Sequence, residues 1–210
     1  MVDFNKVYLF RMTHIENIPH ILKYGITHPE SEFANGEYIG IGDQTIIETR
    51  KDKILIDDKK IGDFIPFYFA YRTPMLLVIQ TGYNGVEKIH PLNIVYCVTN
   101  IGKIIESQKE FIFSDGHPLN TLTTIHSKDE INNLFDIIDE NAIKSIQWSG
   151  ENYLDVKRRK EAELLLLGDL SIDSIVGFVV YDDMAKNKMI DFGVNEKKIA
   201  IRKDYYYDKF

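Results

Sequence analysis

Four consecutive leucines, Leu164 to Leu167, stand directly behind Glu163 and a basic run, Lys157-Arg-Arg-Lys160. An apolar run this short and unbroken, entered through a carboxylate, reads as a buried strand, and a buried strand needs a sheet on either side of it and cover above and below. The rest of the chain supplies candidates for both. Residues 7–12, 64–71, 93–99, 110–113, 174–181 and 198–202 are rich in β-branched and aromatic side chains and read as strands. Pro66 marks 64–71 as an edge strand, or one that starts after the proline. Helices are expected between them. Asn17 caps a short helix with Pro19 in its first turn and Gly25 as its stop. Asp43 caps another from Gln44 to Lys51, with Ile46 and Ile47 facing inward, and Thr73-Pro74 opens a third that Gly82 closes. Residues 101–108 and most of 120–146 are also helical by periodicity, with Leu134, Ile137 and Ile138 on one face. Residues 29–45 and 148–160 read as polar loops. Strands and helices alternate irregularly, so the fold class is α+β rather than a doubly wound parallel sheet.

Hydrophobic residues make up 44% of the 210, enough for a real core in one domain spanning 1–210. The 25 lysines and arginines against 32 aspartates and glutamates leave a net charge of −7, which excludes a generally basic nucleic-acid coat but not a local basic groove. A single cysteine, Cys97, excludes an internal disulfide framework and a cysteine-rich zinc site. The first residues lack the apolar run of a signal peptide, and no stretch approaches a membrane span, so a soluble cytoplasmic protein is expected.

Most signatures of catalysis are missing: no phosphate-binding Gly-Lys loop, no Gly-x-Gly-x-x-Gly, no Gly-x-Ser-x-Gly and no His-Glu-x-x-His. The six histidines are scattered, giving little support to a metal site. The remaining candidates are polar residues beside strands. Glu163, with Glu161 as competitor, can stabilise a developing cation, or it can simply pair with the neighbouring lysines and arginines. Arg11 and Thr13 end the first strand at a helix start, which suits phosphate, although Arg11 can equally snorkel from a strand edge. Arg50 near the end of its helix reads first as a solvated arginine, and His117 in Ser114-Asp-Gly-His117 as a structural or solvated turn histidine, although loops beside strands are also where sites form. Lys157, Arg158, Arg159 and Lys160, with Trp148 and Tyr153 upstream, can track a nucleic-acid strand or form a solvated face. Tyr205-Tyr-Tyr207 can stack on bases or pack as a lid. A loose Asp191 and Glu196-Lys-Lys198 pattern leaves a metal-dependent nuclease open, and a non-catalytic nucleic-acid-binding module is a third reading.

Taken in order, Phe10-Arg-Met-Thr-His-Ile-Glu-Asn-Ile18, Phe64-Ile-Pro-Phe-Tyr-Phe69, Arg72-Thr-Pro-Met75, Ser114-Asp-Gly-His117, Lys160-Glu-Ala-Glu163 and Ile201-Arg-Lys-Asp-Tyr-Tyr206 resemble the DarT family across nearly the whole chain. The resemblance implies an ADP-ribosyltransferase fold, with a split central β-sheet and peripheral helices, that takes NAD as co-substrate and modifies a base in single-stranded DNA. It implies a toxin whose partner is a macrodomain antitoxin. Glu163 matches the family's catalytic glutamate, which holds the nicotinamide-ribose 2′-hydroxyl and stabilises an oxocarbenium-like transition state. Arg50 matches an arginine that orients or activates the target base. Arg11, Thr13, Asn17, Tyr71, Met75 and His117 match positions around NAD, and residues 148–160 match a loop that faces DNA. Where many members carry Tyr-His shortly before the Thr-His pair, this chain has Phe10 and Arg11. Members divide into thymidine-directed and guanosine-directed types. Arg50, Lys51 and Lys53 with Lys157 to Lys160 are expected to line a basic groove whose affinity for single-stranded DNA falls modestly with salt.

Overall fold

The structure, a computed structural model, describes residues 2–56 and 58–207. Strand β1 (Tyr8–His14) turns into α1 (Ile18–Tyr24), and a long glycine-containing loop leads to α2 (Gln44–Asp52) and the small ribbon of β2 (Ile54–Ile56) and β3 (Lys59–Lys60). Then follow β4 (Phe64–Tyr68), α3 (Pro74–Thr81), β5 (Ile94–Asn100), α4 (Ile101–Glu106), β6 (Phe111–Ser114) and β7 (Ile125–Ser127). After α5 (Leu134–Ile137), α6 (Glu140–Lys144) and α7 (Leu154–Lys160) come β8 (Glu163–Leu167), β9 (Gly177–Val180), α8 (Asp183–Asp191) and β10 (Ile199–Ile201). Eight strands form one sheet in the order β10-β9-β5-β1-β4-β8-β6-β7.

Local chemistry accounts for most of these boundaries. The Asp43 carboxylate accepts from the backbone N–H of Thr45 and Ile46, starting α2. Thr73 Oγ1 accepts from Leu76 N–H, Pro74 fills the first turn of α3, and Gly82 closes it at a φ of 72°. Asn17 sits at the start of α1, but its side chain does not cap the helix. The sheet buries both faces. Leu9, Phe67, Cys97, Phe113, Leu164 and Leu166 meet α1, α4 and α8 on one side. Phe10, Met12, Tyr96, Val98 and Val179 meet α3 and the C-terminal Tyr206 on the other. Tyr206 is fully buried and donates its hydroxyl to the carbonyls of Ile94 and Val179, so burial leaves no polar group unmet.

Three expectations are corrected. Pro66 lies inside the sheet, not on its edge, because β4 is held along its whole length by β8 and touches β1 at one pair only, Phe10 with Tyr68. Phe69 N–H bonds Ala162 O, so by alternation Pro66 points its nitrogen away from β8, toward β1, where no ladder needs a donor. Residues 120–146 are not a long helix. Ile125–Ser127 pairs with β6 as an outer strand, Glu130 accepts from Ser127 N–H to start a tight 3₁₀ turn, and Asp139 restarts the chain as α6. Residues 148–160 are not all loop. Asp155 bonds Arg158 and Arg159, three and four residues on, which favours the helix α7.

Gly25 ends α1 at a φ of 81° while its neighbour Ile26 bridges to Leu170. A Cβ there would stand 2.1 Å from Leu170 O. We expect Gly25→Ala to lower stability by about 2 kcal/mol or more in chemical denaturation, since it combines a left-handed backbone with a backbone clash. A loss under about 0.5 kcal/mol would mean that the bridge yields at no cost.

Candidate active site

The single contact between β1 and β4 opens the sheet. Beyond Phe10 and Tyr68 the two strands diverge, and the Arg11 guanidinium reaches across to donate to Pro66 O at 3.1 Å. A cavity of about 280 Å³ fills the gap. Arg11 and Met12 line it from β1, Phe64, Pro66 and Tyr68 from β4, Met75 and Ile79 from α3, and Ile46, Ile47 and Arg50 from α2. A smaller crevice continues past Arg11 and Tyr38 to Thr13 and Asn17. Asn17 is occupied there: its amide N–H₂ donates to Thr13 Oγ1 and Ile39 O, and its oxygen accepts from Ile39 N–H. That two-way pairing fastens the glycine-containing loop over the crevice.

At the other end stands Glu163, the first residue of β8. Its N–H donates to Ser114 Oγ, and that hydroxyl donates to Gly116 O, which locks the strand start to the turn after β6. Arg50 Nη1 and Nη2 donate to the two Glu163 carboxylate oxygens at 3.0 and 2.7 Å. The carboxylate is fully buried and the guanidinium side chain is 12% exposed. Burial opposes the charge on Arg50, but Glu163 outweighs it and raises the pKa. The arginine reaches this point because α2 lies directly on the turn before β4. A Cβ on Gly62 would stand 2.8 Å from Lys51 Cα, so no larger residue permits that approach.

Tyr68 pairs with Glu163 across the strands, and burial, then Glu163 and Glu161, hold its hydroxyl well above the ordinary tyrosine pKa. His117 is anchored by its N–H to Arg158 O and accepts from Leu119 N–H at Nδ1. Burial depresses the imidazole, with Glu163 and Arg50 within electrostatic range. Glu161, at the end of α7, is also buried. Its carboxyl is pushed up to about 8 by burial and by Glu163, against Lys157 and Lys160. So the site holds one carboxylate held at both oxygens by Arg50 and a second carboxyl that keeps its proton at neutral pH.

Of the expected site residues, Arg11, Arg50 and Met75 line the cavity and Thr13 and Asn17 the crevice that shares Arg11 with it, whereas Glu163 lies behind Arg50, bonded to it, and His117 is within electrostatic range of that pair. Other expected site residues lie differently. Tyr71 does not line the cavity; it stacks on Tyr205 with ring centroids 3.7 Å apart. Within the basic run, Arg158 and Lys160 are buried: Arg158 bonds Asp155, Asp115 and Thr123, and Lys160 Nζ donates to Ile143 O. Arg159 pairs with Asp155 and Asp139, and Lys157 alone of the four is exposed without a carboxylate partner. Trp148 Nε1 donates to Tyr207 Oη, and Tyr153 is exposed. Lys51 is paired with Glu48 beside the cavity. Tyr68 was missed by sequence reasoning, although its place in β4 opposite the start of β8 was the available signal. Glu196 of the loose nuclease pattern is paired with Lys186 next to edge strand β10, with β9, β5 and β1 between it and the cleft. Among the described residues no group of three or more His, Cys, Asp or Glu is placed to hold a metal ion, and no helix is long and apolar enough to cross a membrane.

The titration of Glu161 has a measurable consequence. The folded protein keeps this proton to about pH 8, whereas the ordinary glutamate value is 4.5. The folded state therefore binds the extra proton between those values, and stability falls as pH rises through that window. Glu161→Gln should flatten the decline in denaturation midpoint between pH 5 and 8 and be the more stable protein at pH 8. Parallel curves for the two proteins would mean that another group carries the dependence.

A family model described as "ssDNA thymidine ADP-ribosyltransferase, DarT" matches residues 10–207. A DNA ADP-ribosyl transferase of Escherichia coli O127:H6 is 29% identical over 189 residues, covering 85% of this chain and 82% of that protein. A DNA ADP-ribosyl transferase–DNA ADP-ribosyl glycohydrolase fusion protein of Thermosipho africanus is 29% identical over 160 residues, which is 75% of this chain and 38% of the fusion. Thermus sp. 2.9 DarT in complex with ADP-ribosylated ssDNA superimposes with a TM-score of 0.84 at 22% identity, covering 96% of each chain. The same Thermus protein in complex with NAD+ gives 0.79.

Proposed function

This chain belongs to the DarT family, and we infer that the cleft between β1 and β4 is where it transfers ADP-ribose from NAD to a base in single-stranded DNA. The observation that carries the assignment is the buried, two-point Arg50–Glu163 pair at the end of a cavity walled by apolar side chains and entered past Arg11. These residues fit the dinucleotide: apolar walls suit its rings, and an arginine at a strand end suits its pyrophosphate. When bound, NAD supplies the ADP-ribosyl group, and positive charge develops on its ribose as nicotinamide departs.

Glu163 faces that charge. Each of its oxygens accepts one bond from Arg50 and keeps lone pairs free, so it can also accept from a ribose hydroxyl. Fixed negative charge in a buried cleft is worth far more than in water, because no solvent has to reorganise around it. Arg50 spends two of its five N–H donors on Glu163 and keeps three, and these can hold a carbonyl of the target base. Tyr68 stays a neutral donor beside them. His117, half-buried with its imidazole pKa lowered by burial, lies within electrostatic range of Glu163 and Arg50. Arg11, Thr13, Asn17 and Met75 hold NAD, with Asn17 acting through the loop that it fastens.

We assign thymine as the target base, in keeping with the family description. The whole of residues 1–210 acts as one catalytic domain in the cytoplasm, where NAD and DNA are both present. The reaction damages the cell's own DNA, so the protein serves as a toxin, and its partner is a macrodomain antitoxin that removes the modification. The fused glycohydrolase of the Thermosipho relative supports that pairing.

Mass spectrometry of short single-stranded oligonucleotides, incubated with and without NAD, tests the reaction. An NAD-dependent gain of one ADP-ribose on thymine is expected, and unmodified oligonucleotide in every sequence context would overturn the proposal. Glu163→Gln keeps a hydrogen-bond acceptor for the buried Arg50 and should lower transfer by at least about 100- to 1,000-fold in folded protein. Full activity would remove Glu163 from the mechanism. Arg50→Lys retains a charge for Glu163 but loses the fork, so transfer should fall about 10-fold or more while the KM for NAD changes little. Equal losses in both would place Arg50 on the dinucleotide instead.

A further inference from the structure

Of the six arginines, Arg50, Arg158, Arg159 and Arg202 are paired with carboxylates, and Arg11 donates to Pro66 O. Arg72 is different. Among the described residues its guanidinium makes no hydrogen bond and no ion pair at bonding distance, although the Asp204 carboxylate is within electrostatic range, and it lies over the Tyr207 ring at 4.7 Å. Its backbone is held in the left-handed region, at a φ of 54°, which is unfavourable for a side chain with a Cβ. Two tyrosines enforce that conformation: Arg72 N–H donates to Tyr96 Oη, and Tyr207 Oη donates to Arg72 O. The fold thus fixes the backbone of this arginine and leaves its guanidinium N–H donors unpaired, which suits an anion from outside.

Arg72 follows β4 by four residues, and β4 runs antiparallel to β8, so the arginine emerges at the end of the sheet where Glu163 stands. Lys160, three residues before Glu163, is close enough for Arg72 to help depress its ammonium pKa, burial being the larger cause. Aromatic rings flank the guanidinium. Trp148 packs against Tyr207 on one side. On the other Tyr71, 38% exposed, stacks on Tyr205, and Arg202 lies against Tyr205 at 4.5 Å. A clamped cation with an exposed aromatic ring next to it in the chain, at the end of the sheet where Glu163 stands, matches the repeat of a single-stranded nucleic acid, phosphate then base.

We propose that Arg72 and Tyr71 form a docking subsite for the DNA strand next to the target nucleotide, Arg72 taking a backbone phosphate and Tyr71 stacking on the adjoining base. The subsite rests on the DNA-modifying function argued above. It gives the enzyme a hold on the flanking strand that is independent of the target base.

The test is fluorescence anisotropy of a labelled thymidine-containing oligonucleotide, without NAD, across a salt series. Arg72→Gln and Tyr71→Ala should each weaken binding about 10-fold, and Arg72→Gln should also reduce the salt slope by about 0.7, as for one lost phosphate contact. The KM for NAD should stay within about 2-fold of wild type in both. A second measurement uses the unaltered protein. Replacing one phosphate beside the target by a neutral methylphosphonate should weaken binding to wild type and have no further effect on Arg72→Gln. Unchanged affinity and salt slope in Arg72→Gln, or methylphosphonates without effect on wild type at every flanking linkage, would overturn the proposal. So would a raised KM for NAD with DNA affinity intact, which would place Arg72 on the dinucleotide. Absence of any NAD-dependent adduct with wild type would count against the DNA-modifying function itself, an outcome separate from these.

Discussion

The forked bond between Arg50 and Glu163 joins residues 113 positions apart, and the functional half of the molecule is organised around it. A buried ion pair is a weak source of stability, because desolvating two charges cancels most of their attraction. Its value here is positional. Neither charge tolerates the loss of its partner in that environment, so α2 has to lie on the turn before β4, and Gly62 has to be small enough to let it. The strand start has to be rigid as well, which Ser114 ensures by accepting from Glu163 N–H. Local caps and packing therefore converge on one constraint, the placement of a carboxylate and a guanidinium at the end of a gap in the sheet.

That gap has its own cause. A sheet of eight strands with full ladders would leave no room between β1 and β4 for a ligand. Pro66 removes a backbone donor on the side of β4 that faces β1, and Arg11 takes the carbonyl that a ladder would otherwise use. The strands can separate without leaving polar backbone atoms unmet, and apolar side chains from both strands then line the opening. β1 remains anchored from its other side, where it pairs with β5 over its entire length, from Tyr8 with Asn100 to His14 with Ile94. The cleft is thus an interruption in one ladder, bounded by two intact ones.

What the sequence disclosed and what it concealed follow from the range of the interactions involved. The caps at Asp43, Thr73 and Gly82 were legible because a cap is completed within a few residues. The buried character of β8 was legible from its four leucines. Pro66 misled because an interior proline is tolerated only when the neighbouring strand moves away, and nothing near Pro66 records where β1 goes. The basic run misled for a similar reason. Arg158 reaches Asp115 and Thr123, and Lys160 reaches Ile143 O, partners dozens of residues away or in a separate helix that turn surface charges into internal braces. Tyr71 was expected at the dinucleotide from its match to the family, and its ring stacks on Tyr205 from the far end of the chain, a contact that no local pattern discloses. The match to DarT motifs located Glu163 and Arg50, but their direct bond depends on a register that only the folded sheet reveals.

A chain of net charge −7 that acts on a polyanion needs its electrostatics managed locally. Two buried carboxyl groups, Glu161 and Glu163, stand behind Arg50 at the end of the cleft, where both would repel DNA if they carried free charge. The structure silences each in a different way. Glu163 has its charge matched by Arg50 at bonding distance. Glu161 is neutral below about pH 8 because burial and its charged neighbour make ionisation costly. Among the described residues, the charges there without a carboxylate at bonding distance are positive: Lys157 and Arg72. Local potential, set by which charges are paired and which are protonated, can therefore oppose the sign of the whole protein. A polyanion can approach the cleft although acidic residues outnumber basic ones over the sequence.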